Sequence, residues 1–131
     1  MMTLSLATEL EKYPRVPLIT SATPLQHLEH LSDKLNVNFY LKRDDLTDIA
    51  LGGDKPRKLE YEIAQAQAVN ADILVTCGSA QSNHARLTTA SARKVGMDCA
   101  VVLSHDQWAS FQGNLLTVYL MGAQVKIVNT G

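Results

Sequence analysis

Apolar positions along the chain follow two rhythms. Leu28, Leu31 and Leu35 recur three and four residues apart behind Thr23-Pro24-Leu25-Gln26, a capping-box pattern with proline at the first helical position. They predict an amphipathic helix from Thr23 to about Leu35, with His27, His30 and Lys34 on its polar side. Pro56 opens a second helix to about Val69, with Leu59, Ile63 and Ala66 on one face and Asn70 as its stop. Asn38 to Lys42 reads as a short strand, and Arg43-Asp44-Asp45 as its polar exit. The other rhythm is the unbroken apolar run. Ile73–Cys77, Cys99–Leu103 and Val125–Val128 carry the signature of strands buried on both faces. Helices from about Asn83 to Val95 and from Gly113 to Met121 separate them, ended by Gly96 and Gly122, and Gly78 to Ser82 forms a small-residue turn. Met1 to Ser21, with Pro14 and Pro17, shows no period and predicts an extended lead-in.

Strand, helix, strand, helix, strand with such short connections requires parallel pairing through right-handed crossovers, hence an α/β fold. Parallel strands need cover on both faces, and the predicted helices are too few to supply it. The chain is therefore expected to be one part of a larger domain, interrupted at Gly131 by a fragment boundary, a split gene or a truncation.

Composition narrows the function classes. The 131 residues are 46% hydrophobic and 19% charged, with a net charge of -1, which excludes disorder and any global attraction to nucleic acid or an anionic membrane. No apolar run approaches the roughly 18 residues of a membrane span. A soluble, cytoplasmic protein without nucleic-acid or membrane partners is expected. Cys77 and Cys99 read as two buried thiols, and the four histidines have no metal-ligand spacing, so no metal site is expected.

Two places could carry chemistry. In Gly52-Gly53-Asp54-Lys55-Pro56 a tight bend delivers a lysine to a helix N-terminus, where a cation is disfavoured by about 0.3–1 kcal/mol. Either Lys55 has a chemical task or its amine points into water. The second place is the passage from Val75 through Gly78, Gln81, Ser82 and Asn83 to His84. It lies at the carboxyl end of a predicted strand, where open α/β sheets bind ligands. Ser82 or Asn83 could equally serve only as a helix cap. A Walker A loop, a G-x-S-x-G elbow and a G-x-G-x-x-G fingerprint are all missing, which disfavours nucleotide-binding and hydrolase-triad readings.

Three segments in order, Lys42-Arg43-Asp44-Asp45-Leu46, Gly52-Gly53-Asp54-Lys55-Pro56-Arg57-Lys58-Leu59-Glu60 and Gln81-Ser82-Asn83-His84-Ala85-Arg86, closely resemble the N-terminal part of the D-cysteine desulfhydrase and 1-aminocyclopropane-1-carboxylate (ACC) deaminase family. Pro14-Arg15, Ala22-Thr23-Pro24-Leu25, Gly113-Asn114-Leu115-Leu116 and Met121-Gly122-Ala123 extend the resemblance over nearly the whole chain. It implies an incomplete three-layer parallel α/β sandwich of tryptophan-synthase-β-like fold. Residues 1–50 would belong to a larger cofactor domain and 51–131 to a truncated smaller one. It implies a pyridoxal-phosphate enzyme that releases ammonia and an α-keto acid from a small amino acid, as a homodimer in the full-length protein.

By position, Lys55 matches the lysine that forms the internal Schiff base, Asn83 the residue that hydrogen-bonds the pyridoxal ring oxygen, and Ser82 a substrate-side hydroxyl or carboxylate anchor. Lys58 and Gln81 match further active-site positions. Asp54 departs from the family's usual asparagine and places a carboxylate beside the lysine. A free lysine is neutral in only roughly one molecule per 2,500 at pH 7, so such an amine gains from partial burial. The family's phosphate loop and the partner of its pyridine nitrogen have no counterpart before Gly131. The alternative is a catalytically inactive α/β module that self-associates or binds a partner through an uncovered sheet.

Overall fold

A computed structural model describes residues 6–105 and 110–129. Its centre is a three-stranded parallel sheet, β3 (Ile73–Ser79), β4 (Asp98–His105) and β5 (Gln124–Asn129), in that spatial order. Leu74 lies opposite Cys99, and Val101 opposite Val125. Helix α4 (Asn83–Lys94) connects β3 to β4, and α5 (Gly113–Leu120) connects β4 to β5. Both crossovers step in the same direction, so right-handed connections place both helices on one face. The α/β class and the parallel pairing are as expected.

The covered face carries Cys99, Val101 and Leu103, which pack with Ala85, Ala92, Leu115 and Val118 from the helices. Helix α3 (Pro56–Ala68) lies against the far side of α4, where Leu59, Ile63 and Leu87 form a second cluster with Leu18 and Ile49. Being sandwiched explains the composition of α4. Ala85, Thr88, Thr89, Ser91 and Ala92 are all buried, and small side chains permit close approach on two sides. Thr89 returns its hydroxyl to the Ala85 carbonyl at 2.9 Å, which satisfies it within the helix.

The opposite face of the sheet is bare among the described residues. Val75 is 70% exposed and Val102 37%, and Cys77, two residues beyond Val75 on β3 and opposite Val102, shares their face. The expectation of strands buried on both faces is thus corrected for this face, and Cys77 is an exposed thiol while Cys99 is buried. The hydrophobic run recorded the strand correctly, but burial depends on a covering layer that the described residues do not supply.

The N-terminal region departs further. A short helix α1 (Leu6–Leu10) interrupts the expected extended lead-in. Leu25–His27 is not helical: it forms strand β1, antiparallel to β2 (Tyr40–Lys42), with Leu25 opposite Lys42. The helix α2 begins only at Glu29 and ends at Leu35. Cross-strand pairing, extended by Leu28 N to Phe39 O (3.0 Å) and Arg43 N to Pro24 O (2.9 Å), outweighs the local capping pattern. Thr23, the expected cap, instead gives its hydroxyl to Asp44 at 2.7 Å. His27 consequently sits on a strand, its ring centroid 4.9 Å from that of Tyr40. The apolar face expected for α2 is open, with Leu31 and Leu35 exposed and Ser32 its buried residue.

Candidate active site

The segment before α3 is conformationally unusual. Ala50, Leu51, Gly52 and Gly53 all have positive φ, at 42°, 69°, 73° and 141°. For the two non-glycine residues this conformation costs of order 1–3 kcal/mol each, so the surrounding structure must hold it. A Cβ on Gly52 would stand 1.9 Å from the Asp45 carbonyl oxygen, and one on Gly53 would stand 2.7 Å from Leu87 Cδ1 of α4. Gly52 is required by close approach to backbone as well as by φ, and Gly53 by φ, with the end of the Leu87 side chain packed against it.

Three groups hold this bend. Gly53 N donates to the Asp44 carbonyl (2.8 Å) and to Thr47 Oγ1 (2.9 Å), and Arg86 Nη2 of α4 donates to the Gly52 carbonyl (2.8 Å). The Asp44 carboxylate is fixed in turn by Arg57 Nε (2.6 Å), Arg57 Nη2 (2.7 Å) and Thr23 Oγ1 (2.7 Å). The Arg57 guanidinium first, helped by the Thr23 hydroxyl and opposed by partial burial, lowers the Asp44 pKa to about 2. Of the expected polar exit Arg43-Asp44-Asp45, the last two residues belong to a 3-10 turn, Asp44–Leu46, that supports the bend.

The bend ends on Lys55, which stands at the N-cap of α3 ahead of Pro56. Its amine lies 2.6 and 2.8 Å from the two Asp54 oxygens, with the lysine side chain 30% exposed. That ion pair holds the Asp54 carboxyl below its ordinary range. One turn further, Lys58 pairs with Glu62 at 2.9 Å.

The N-terminus of α4 faces this region. Ser82 caps it, its Oγ accepting from Ala85 N at 3.1 Å, and Asn83 follows as an exposed first helical residue. His84 is half-buried, 3.0 Å from Thr76 Oγ1. Burial, then the positive charge of Lys58 and that of Lys55, push its pKa down, against an opposing effect of Glu62. His84, on the first turn of α4, thus feels the charges of Lys55, Lys58 and Glu62 from the start of α3. Gln81 is engaged elsewhere: its Oε1 accepts from Asn114 N (2.9 Å) and its Nε2 donates to the Gln112 carbonyl (3.0 Å), tying it to the start of α5. Clefts of about 410 and 500 Å³ lie beside Gln26–Leu31 and between Leu10, Arg15 and Lys58. Neither is lined by Lys55, Ser82 or Asn83.

A family model described as pyridoxal-phosphate dependent enzyme matches residues 16–131, which contain both helix N-termini and the bend. The chain belongs to this family. Among curated members it is similar to the D-cysteine desulfhydrase of Serratia proteamaculans, at 43% identity over 95% of this chain and 39% of that protein. It is likewise similar to the D-cysteine desulfhydrase of Yersinia pestis, at 47% identity over 87% of this chain and 34% of that protein. The crystal structure of an ACC deaminase homologue superposes with a TM-score of 0.83 at 40% identity, covering 91% of this chain and 36% of that one. A pyridoxal 5'-phosphate-dependent aspartate racemase at 22% identity and TM-score 0.68 shares the fold. The chain therefore spans little more than a third of the length of these pyridoxal-phosphate enzymes.

An amine on the hydrogen-bonded bend at Lys55, and a hydroxyl and a carboxamide at Ser82 and Asn83, are groups of the chemical kind the family's cofactor requires. Sequence reasoning missed the bend's supports. Asp44 and Arg86 both lie in the quoted motifs, but the partners of their backbone and side-chain groups are up to 34 residues distant, so spacing alone could not assign them.

Proposed function

We propose that this chain is the lysine-bearing portion of a pyridoxal-phosphate lyase of D-cysteine desulfhydrase or ACC deaminase type, which releases ammonia and an α-keto acid from a small amino acid. The observation that carries the reading is the strained, multiply anchored bend that ends on Lys55 and is tied to α4 by Arg86. In this reading Lys55 holds the cofactor covalently, Asn83 donates to its ring oxygen and Ser82 addresses the substrate. Lys58 and Gln81 contribute at the margin. When bound, the cofactor supplies an electron sink for charge developing on the substrate carbon.

The chain's own residues supply aim and proton handling. To hold the cofactor, the Lys55 amine would have to part from Asp54 and give its extra proton to solvent; as a free amine it could take a proton from one substrate atom and return it to another. The Ser82 Oγ accepts from Ala85 N, which leaves its hydroxyl proton free to donate to a substrate carboxylate. Residues 51–131 would then form part of a smaller domain and 1–50 part of a larger one, in a protein that works as a homodimer.

Borohydride reduction after incubation with pyridoxal phosphate should leave a pyridoxyl group on Lys55, and Lys55→Ala should abolish it. An unmodified Lys55 in the reduced, digested protein overturns the reading. The bare row of Val75, Cys77 and Val102 favours a second reading, a non-catalytic module that self-associates through its sheet. That reading requires oligomers in sedimentation without cofactor uptake, and a folded monomer removes it.

A further inference from the structure

Arg86 is 8% exposed, on the first turn and a half of α4. An arginine so deeply placed is ordinarily matched by a carboxylate. Among the described residues Arg86 has none: its Nη2 donates to the Gly52 carbonyl at 2.8 Å and its buried Nε has no partner. Burial accordingly pushes its pKa down, with no neighbouring charge acting against that shift. A buried cation that leaves one donor unsatisfied is costly as a general stabiliser, since an apolar side chain of similar volume would avoid both penalties. Among the described residues its one side-chain polar contact is with the bend that sets where Lys55 emerges.

The rest of that contact is equally specific. Gly52 is the third of four consecutive positive-φ residues, and its carbonyl could turn away if the bend relaxed. Asp44 and Thr47 hold Gly53 from the side of the 3-10 turn, whereas Arg86 holds Gly52 from α4, the helix that carries Ser82 and Asn83. It is therefore the polar link that fixes the lysine-bearing bend against the helix bearing the other candidate site residues. The packing of Gly53 on the end of the Leu87 side chain supplies the apolar part of the same junction.

We propose that Arg86 is a positioning residue that clamps the Gly52–Gly53 bend to α4 and thereby directs the Lys55 amine toward the Ser82–Asn83 corner. This rests on the reading of Lys55 as the cofactor lysine. Without the guanidinium the bend relaxes, and Lys55 loses its advantage over other lysines.

The test uses the full chain, pyridoxal phosphate and borohydride, with the label on each lysine counted by mass spectrometry. In the wild type, Lys55 should be labelled at least tenfold faster than the exposed Lys12 and Lys34. Arg86→Met should bring that ratio to near unity while Lys12 and Lys34 label as before, and Arg86→Lys, which keeps a charged donor, should restore most of it. In the cofactor-free protein, amide exchange should speed up at Gly52 and Gly53, whose N–H groups are bonded within the bend, in Arg86→Met and stay unchanged in β3 and β4. Arg86→Gln carries the same test if the methionine variant loses its folded circular dichroism. A selective wild type beside an equally selective Arg86→Met overturns the assignment of Arg86 alone. Loss of exchange protection throughout the sheet in both variants also overturns it, because Arg86 would then be a general stabiliser. A wild type that labels Lys55 no faster than Lys12 refutes the cofactor reading, and the clamp falls with it.

Discussion

The junction of bend, α3 and α4 and the outer face of the sheet are built on opposite terms. At the junction, buried apolar contacts among Leu18, Leu59, Ile63 and Leu87 are joined to a polar network through Asp44, Thr47, Arg57 and Arg86, whose partners all lie within the chain. On the outer face, Val75 is largely and Val102 partly exposed, and the β1–β2 ribbon likewise exposes Leu25, Tyr40 and Leu41. The candidate chemistry sits on the closed side. The candidate residues are supported by contacts among the described residues, whereas the outer sheet face and the ribbon leave large apolar side chains exposed.

The contrast breaks most severely at Gly52. Gly52→Ala sets a methyl group 1.9 Å from the Asp45 carbonyl oxygen at a φ of 73°, so backbone must move. A loss of at least about 3 kcal/mol is expected, read as a fall in the urea midpoint, together with loss of selective labelling at Lys55. An unchanged midpoint would mean that the bend is not held as described. Leu87→Ala comes next. It empties a fully buried position between α3 and α4, and about 2–5 kcal/mol should be lost. The same measurement distinguishes the two sites, because Leu87→Ala removes packing while leaving every polar anchor of the bend in place.

The sequence made the closed side legible far better than the open one. Periodicity located α3, α4 and all three parallel strands, because their apolar positions are satisfied by one another. It placed a helix over Leu25–His27 because Thr-Pro-Leu-Gln satisfies a local capping rule, and local rules do not register a strand partner at Tyr40–Lys42. It also buried Cys77, since an apolar run implies cover without stating where the cover comes from. Lys55 and the Ser82-Asn83 pair were visible as motifs. Arg86 was visible only as a letter within one, since its role depends on a carbonyl 34 residues earlier.

Acid offers a graded probe of the junction. Asp44 has a folded pKa of about 2 against an ordinary value of 3.8. Its stabilising effect is therefore complete above about pH 4 and is lost as the pH falls toward 2, where the folded carboxylate also takes up a proton. With Arg57 half exposed and solvent screening the pair, the contribution is about 1–2 kcal/mol. Asp44→Asn should lower stability by that amount at pH 7 and flatten the acid limb between pH 4 and 2. A variant that keeps the wild-type acid limb would assign the pH dependence to other carboxylates.

The smallest effect is expected on the open face, and its smallness is the point. Val75 is 70% exposed, so Val75→Ser removes little buried apolar area and should change the unfolding midpoint by less than about 0.5 kcal/mol. β-propensity favours valine only slightly over serine on a solvated strand, and no neighbouring side chain is left facing a cavity. What should change is association. If Val75, Val102 and Cys77 form a contact surface, Val75→Ser paired with Val102→Ser lowers the sedimenting mass without altering Lys55 labelling. A loss of several kcal/mol in the single variant would instead mean that Val75 is covered in solution, and the division between a closed junction and an open sheet would fail there.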